Sequence, residues 1–132
     1  MRILGIDFGV KRIGLALGDT EARLASPWAV LRYDHRNDAV REIKKIIEAE
    51  RIEKIVVGMP YPFIGPERET EQIKLVRGFI DDLRVLGVAL EEADERLSSQ
   101  LAIRFMHERG EKGKRDDLAA AAILQTWLDK TV

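Results

Sequence analysis

A carboxylate interrupts an otherwise apolar hairpin at Asp7, inside the stretch I-L-G-I-D-F-G-V-K-R-I-G-L-A-L-G-D that runs from Ile3 to Asp19. Ile3 to Ile6 reads as a strand, and Ile13, Leu15 and Leu17 alternate as the inward face of a second one. Asp7 falls where the first strand ends. A charge there is costly unless it is paired, solvated at the sheet edge or holding a cation. The glycines fit the last use: Gly9 can take a turn conformation closed to other residues, while Gly5, Gly14 and Gly18 let another backbone or a ligand come close. Lys11 and Arg12 follow within the turn, so one bend offers an acid for a metal and bases for a phosphate. The plainer alternative is a glycine-rich hairpin whose Asp merely caps a turn.

Two more places set acids beside bases. Asp94 and Glu95 precede Arg96, and Lys112, Lys114 and Arg115 precede Asp116 and Asp117. Taken singly, each cluster reads as charge balance on a solvated face. Together, Asp7, Glu95 (or Asp94) and Asp116 (or Asp117) form an oxygen-only donor set, which suits hard cations such as Mg²⁺ or Mn²⁺. Two such ions about 3.5–4 Å apart, bridged by one carboxylate, can activate a water and stabilise the leaving oxygen of a phosphodiester. That chemistry needs no Cys, Ser or His nucleophile. The chain has no cysteine, and its two histidines, His35 and His107, lie in no motif and read as surface or helix-face residues. Each acid also has a bland use. Asp116 would serve as an N-cap worth roughly 1 kcal/mol, and Glu95 could pair with Arg96 or a nearby helix.

The elements that must position these acids follow from periodicity. Strands are expected at about 2–8, 12–18 and 24–33, joined tightly enough to form an antiparallel meander. Ala39, Val40, Ile43, Ile46 and Ile47 recur at helical spacing, giving a helix at about 37–50 with Asn37 or Asp38 as N-cap. Ile55 to Val57 form a buried strand ending at Gly58. The loop from Pro60 to Pro66 holds three of the four prolines; its Tyr61 to Pro66 stretch is expected to be exposed and mobile, with Tyr61 and Phe63 available for base stacking or a partner chain. A helix over about 68–86 stops at Gly87, and Val88 to Ala93 make the fifth strand, with Asp94, Glu95 and Arg96 at its end. A helix over about 98–109 has Ser98 as cap and Gly110 as stop, the segment 111–115 is expected to be mobile, and a last helix covers about 116–129. The order βββαβαβαα predicts a mixed sheet with helices on both faces, whose reactive residues gather at the carboxyl ends of parallel strands. Ala119 to Ala122 would let the last helix approach the sheet closely near Asp7, although alanine is also simply the best helix former.

With 132 residues, 45% hydrophobic and 34% charged, and a net charge of −1, the chain has the composition of one ordinary globular domain spanning 1–132. The absence of cysteine excludes disulfides and thiolate metal sites. No apolar run approaches the ~20 residues that cross a bilayer, and the start lacks signal-peptide regions, so a cytoplasmic protein without membrane contact is expected. The overall charge carries no hint of nucleic-acid binding, and only the local basic clusters do.

Four ordered motifs resemble one known family: D-F-G-x-K-R-I-G-x-A, then V-V-G-M-P, then D-E-R-L-S-S, then K-G-K-x-D-x-x-A-A followed by I-L. Over essentially the whole chain they are similar to the YqgF-type (RuvX) proteins of the ribonuclease H-like superfamily. The resemblance implies an α/β ribonuclease H-like fold, with a mixed five-stranded sheet in the order 3-2-1-4-5. It implies a Mg²⁺- or Mn²⁺-dependent endonuclease that matures the 5′ end of pre-16S ribosomal RNA. A Holliday junction resolvase acting on branched DNA is the alternative activity. By position, the family's acids fall on Asp7, Glu95 and Asp116, the last because it keeps the family's distance to Ile123-Leu124. Lys11, Arg12, Arg96, Lys114 and Arg115 are then the candidates for nucleic-acid contact, in a monomer or a homodimer.

Departures from the family pattern are local. The apolar Tyr61-Pro62-Phe63-Ile64-Gly65 replaces a leucine and a polar residue, Ser98 and Ser99 replace two threonines while keeping the hydroxyls, and Arg115 replaces an aliphatic residue. None of these removes a ligand. The competing non-enzymatic reading is a ribosome-assembly factor that binds RNA on the same surface and keeps the acids for structure.

Overall fold

Period-two alternation builds the first half of the chain. In the computed structural model, which describes residues 1–62, 64–65, 67–96 and 116–131, strands β1 (Arg2–Phe8), β2 (Arg12–Asp19) and β3 (Leu24–Arg32) form the antiparallel meander. Helix α1 (Arg36–Glu50) leads to β4 (Lys54–Met59), helix α2 (Glu71–Arg84) to β5 (Ala89–Asp94), and the third described helix, α3, covers Asp116–Thr131. The sheet order is β3-β2-β1-β4-β5, with β1, β4 and β5 parallel, as the family resemblance implied. Among the described residues no helix is long and apolar enough to cross a membrane.

Alternation sends one set of side chains to each face. Leu4, Ile6, Ile13, Leu15, Ile55 and Val57 bury against α1 and α2 through Ala39, Ile43, Ile73, Val76, Phe79 and Leu83. Ile3, Ala16 and Val56 bury on the opposite face against Ala120, Ala121, Ile123, Leu124 and Leu128 of α3. Helices therefore cover both faces. Burying each of the Val, Leu, Ile and Phe side chains among these contributes about 1.5–3 kcal/mol. At the outer edge, β3 carries one extra residue, Trp28, between the pairs Leu15–Ala29 and Ala16–Pro27, and Pro27 beside this bulge sits where a missing N–H is tolerated.

Several boundaries differ from the sequence expectation. Helix α1 starts at Arg36 with the exposed His35 as N-cap and no side-chain cap bond, so neither Asn37 nor Asp38 caps it. The Asp38 carboxylate instead pairs with Arg41 one turn on. Helix α2 is shorter than 68–86 because Thr70 Oγ1 accepts the Ile73 N–H at 3.1 Å and fixes the start at Glu71. Strand β5 runs one residue later than expected and takes in Asp94. Gly9 does not carry a positive φ, which among the described glycines belongs to Gly65 and Gly87. What Gly9 supplies is space, because a Cβ there would stand 2.5 Å from the Arg12 carbonyl oxygen. Tyr61 is half-buried against the main core rather than exposed, and its hydroxyl donates to Glu92 Oε2 at 3.2 Å. Ile64 is exposed as expected. Phe63, Pro66, the helix expected over 98–109 with Ser98, Ser99, His107 and Gly110, and the segment 111–115 lie outside the described residues.

Candidate active site

Two glycines flank Asp7 in the sheet. On β2 its antiparallel partner is Gly14. On β4 the last paired positions are Ile6 and Val57, so Asp7 and Gly58 are the next residues of two parallel neighbours. By alternation Asp7 shares a face with Ile3, which packs on α3, and with Gly5, where a Cβ would stand 2.9 Å from Leu124 Cβ. The two flanking glycines lie on that same face, and each leaves room for one of the other acids.

Over Gly14 sits the first residue of α3. A Cβ at position 14 would stand 1.9 Å from the Asp116 carbonyl oxygen and 2.9 Å from its Cβ, far inside van der Waals contact. The bare backbone of β2 is thus what lets α3 set its N-terminus onto the sheet beside Asp7. The small residues Ala120 and Ala121 continue the close approach along the helix. Over Gly58 lies the other carboxylate: a Cβ there would stand 2.7 Å from Glu95 Oε2 and 2.6 Å from Ile123 Cδ1. Glu95 is held at the end of β5 by its backbone N–H, which donates to the Met59 carbonyl at 3.2 Å. The structure therefore brings Asp7, Glu95 and Asp116 to one end of one face, over three adjacent strands and the helix that covers them.

The electrostatics of the three acids are unequal. Asp7 and Glu95 are half-buried. The Asp116 side chain is only 8% exposed, and the Arg12 side chain, 37% exposed, reaches it with Nε 3.2 Å from Oδ2. That approach is an ion pair without hydrogen-bond alignment, since Asp116 Oδ2 is buried and has no hydrogen-bond partner among the described residues. Buried carboxylate oxygens normally find donors, and one that has none leaves lone pairs that a water or a cation can take. The orphaned oxygen and the oxygen-only donor set fit a hard divalent cation. Among the described residues no three His, Cys, Asp or Glu side chains form a ready metal cage.

The basic candidates separate in the same way. Lys11 is exposed at the β1–β2 turn. Arg96 is engaged: its guanidinium donates to both Asp94 carboxylate oxygens, with Nε at 2.9 and 2.8 Å, and lies 5.9 Å from the Tyr61 ring centroid. These hydrogen bonds hold the Asp94 carboxyl below the usual carboxylate range, against the opposing effect of burial. Asp94 is thereby committed to Arg96. Tyr61, beside them, has its hydroxyl pushed up by burial and by the nearby Glu92 carboxylate. Lys114 and Arg115 lie outside the described residues. Sequence reasoning gave Gly58 no role beyond ending its strand, and the available signal was a glycine inside an otherwise apolar run.

The family model described as RuvX, Holliday junction resolvase, matches residues 1–130. A "Putative pre-16S rRNA nuclease" of Maridesulfovibrio salexigens is 37% identical over 134 residues, spanning 97% of this chain and 98% of that protein. Among solved structures, T. thermophilus RuvC in complex with Holliday junction substrate superposes with a TM-score of 0.63 at 18% identity, covering 98% of this chain and 95% of that one. The large terminase nuclease from thermophilic phage G20c, solved with bound cobalt, superposes with a TM-score of 0.58 at 12% identity, covering 96% of this chain and 80% of that one. The five-stranded sheet in the order 3-2-1-4-5 is thus the architecture of these nuclease neighbours, and the chain belongs to the RuvX family of nucleases with the ribonuclease H-like fold.

Proposed function

We propose that this protein is a divalent-metal-dependent endonuclease that processes the 5′ end of precursor 16S ribosomal RNA, the whole chain acting as one domain. Asp7, Glu95 and Asp116 are the residues that would hold Mg²⁺ or Mn²⁺. The observation that carries this reading is the position of Asp7 between two glycines, one beneath Asp116 and the other beneath Glu95. The buried Oδ2 of Asp116, which has no hydrogen-bond partner among the described residues, supports the same reading, because a bound cation would satisfy it. The bound ion would supply an activated water and a counter-charge for the leaving oxygen.

The chain's own residues do the rest. The sheet holds Asp7 rigidly between its neighbours, while the α3 N-terminus fixes the Asp116 backbone against Gly14. Lys11, Arg12, Lys114 and Arg115 surround the acids in sequence and would neutralise phosphates on either side of the scissile bond, whereas Arg96 is already engaged by Asp94. Such contacts position a nucleic acid without reading its sequence, so substrate choice rests on shape.

Purified protein is to be incubated with precursor 16S ribosomal RNA and with a four-way DNA junction side by side, in Mg²⁺ or Mn²⁺ and in chelator, with Asp7→Asn as control. Metal-dependent cleavage near the 5′ end of the RNA, lost in the folded variant, is the expected result. Cleavage of the junction alone would assign the resolvase activity instead. Binding of RNA without cleavage in either metal would make the protein an assembly factor.

A further inference from the structure

Arg12 has two claimants. As a member of the basic pair in the β1–β2 turn it is placed to meet a substrate phosphate, yet its guanidinium stands 3.2 Å from the buried Oδ2 of Asp116, a proposed metal ligand. A bidentate grip on a phosphate that uses Nε would require it to leave Asp116. We infer that Arg12 is a positioning residue that occupies Asp116 in the free protein and exchanges it for a substrate phosphate, so that nucleic-acid binding releases the acid to the metal. This inference rests on the metal-site reading above.

The geometry says which partner moves. Asp116 is pinned, because its backbone presses on Gly14 with no room for a methyl group. Arg12 reaches it from a side chain that is 37% exposed, so it is the partner with solvent beside it. The pair is also imperfect, since Asp116 Oδ2 gains a nearby positive charge but no aligned hydrogen bond. A phosphate offers the planar guanidinium a bidentate fit that this contact lacks. Once Arg12 has turned outward, a buried carboxylate without a counter-ion is strongly unfavourable, and a divalent cation is the neutraliser at hand. Metal and nucleic acid should therefore strengthen each other's binding, and by linkage they must do so by the same factor.

Mn²⁺ affinity is to be measured by titration calorimetry on wild type, Arg12→Gln and Lys11→Gln, each with and without a nuclease-resistant phosphorothioate oligonucleotide. Without oligonucleotide, Arg12→Gln should bind Mn²⁺ at least about fivefold more tightly than wild type, the lower end of ordinary coupling between sites. Lys11→Gln removes the same charge one residue away and should change the affinity far less. Oligonucleotide should tighten Mn²⁺ binding more in wild type than in Arg12→Gln. A second readout does not depend on affinity: in chelator Arg12→Gln should melt below wild type, and Mn²⁺ should raise its midpoint by more. If Arg12→Gln binds Mn²⁺ no more tightly than wild type, or is matched by Lys11→Gln, the exchange is wrong while the metal site stands. Wild type that binds no Mn²⁺ with or without oligonucleotide would overturn the metal reading and the exchange with it.

Discussion

Glu95 Oε2 occupies the space that a side chain at position 58 would need, 2.7 Å from where a Cβ on Gly58 would sit. The two are joined through the sheet as well, because the Glu95 N–H donates to the carbonyl of Met59, the next residue of β4. Gly58→Ala should therefore push the Glu95 carboxylate off its position. The atoms in the way, Glu95 Oε2 and Ile123 Cδ1, are ends of flexible side chains. The stability loss should accordingly fall at the low end of the roughly 1–3 kcal/mol typical of overpacking, while cleavage drops by far more than the unfolded fraction explains. Denaturant melts and a cleavage assay on the same preparation separate the two. Equal losses in both would mean that Glu95 has no part in the reaction.

Much of this arrangement is legible in the sequence, and what is not has a physical reason. The alternation of Ile13, Leu15 and Leu17 identifies β2 and its buried face, and acids at strand ends identify Asp7 and the Asp94-Glu95 pair. Periodicity cannot say which of two adjacent acids faces the site. Asp94 is withdrawn by Arg96, a local contact that depends on the chain path after β5. The contact of Arg12 with Asp116 joins the first third of the chain to its last helix, and no local pattern records such a pairing. Tyr61 misleads for a similar reason. A proline-rich loop reads as exposed, but the Glu92 carboxylate and the core beside it draw the ring inward.

Lys11 is exposed at the turn that follows Asp7, where its charge can meet a phosphate without giving up a buried partner. Lys11→Ala should weaken binding to all nucleic-acid sequences alike and lower the slope of log affinity against log salt by about one. Fluorescence anisotropy across a salt series, with RNA of two unrelated sequences, measures both. An unchanged slope would leave Lys11 as ordinary solvated charge.

The Asp94–Arg96 contact predicts a pH dependence. Arg96 hydrogen bonds lower the Asp94 carboxyl in the folded protein. A carboxyl so depressed contributes stability that is fully present above its unfolded value, about 3.9, and is lost as pH falls through the folded value. Asp94→Asn should thus be less stable than wild type at neutral pH, by at most about 1 kcal/mol because the pair is partly solvated. The gap should close as the solution is taken below about pH 4. Urea midpoints for the two proteins at neutral and acid pH test this, and a gap that widens toward acid would contradict the assignment of Arg96 as the cause.

Asp116 should behave in the opposite sense, as an acid kept for chemistry rather than for stability. Its side chain is 8% exposed, its Oδ2 lacks a hydrogen-bond donor among the described residues, and its counter-ion among those residues is a partly exposed arginine. Replacing a buried charge in an imperfect pair with a neutral side chain of the same shape is often neutral or stabilising, whereas removing the partner alone leaves the charge uncompensated. In chelator, Asp116→Asn should therefore melt at or above the wild-type temperature, with Arg12 released to solvent at little cost. The same substitution should abolish Mn²⁺-dependent stabilisation and cleavage, because the amide cannot neutralise a divalent ion. Thermal melts with and without Mn²⁺ decide the matter. An Asp116→Asn protein that is clearly destabilised in chelator would show the acid to be a structural cap of α3, with its carboxylate serving the helix N-terminus instead of a metal.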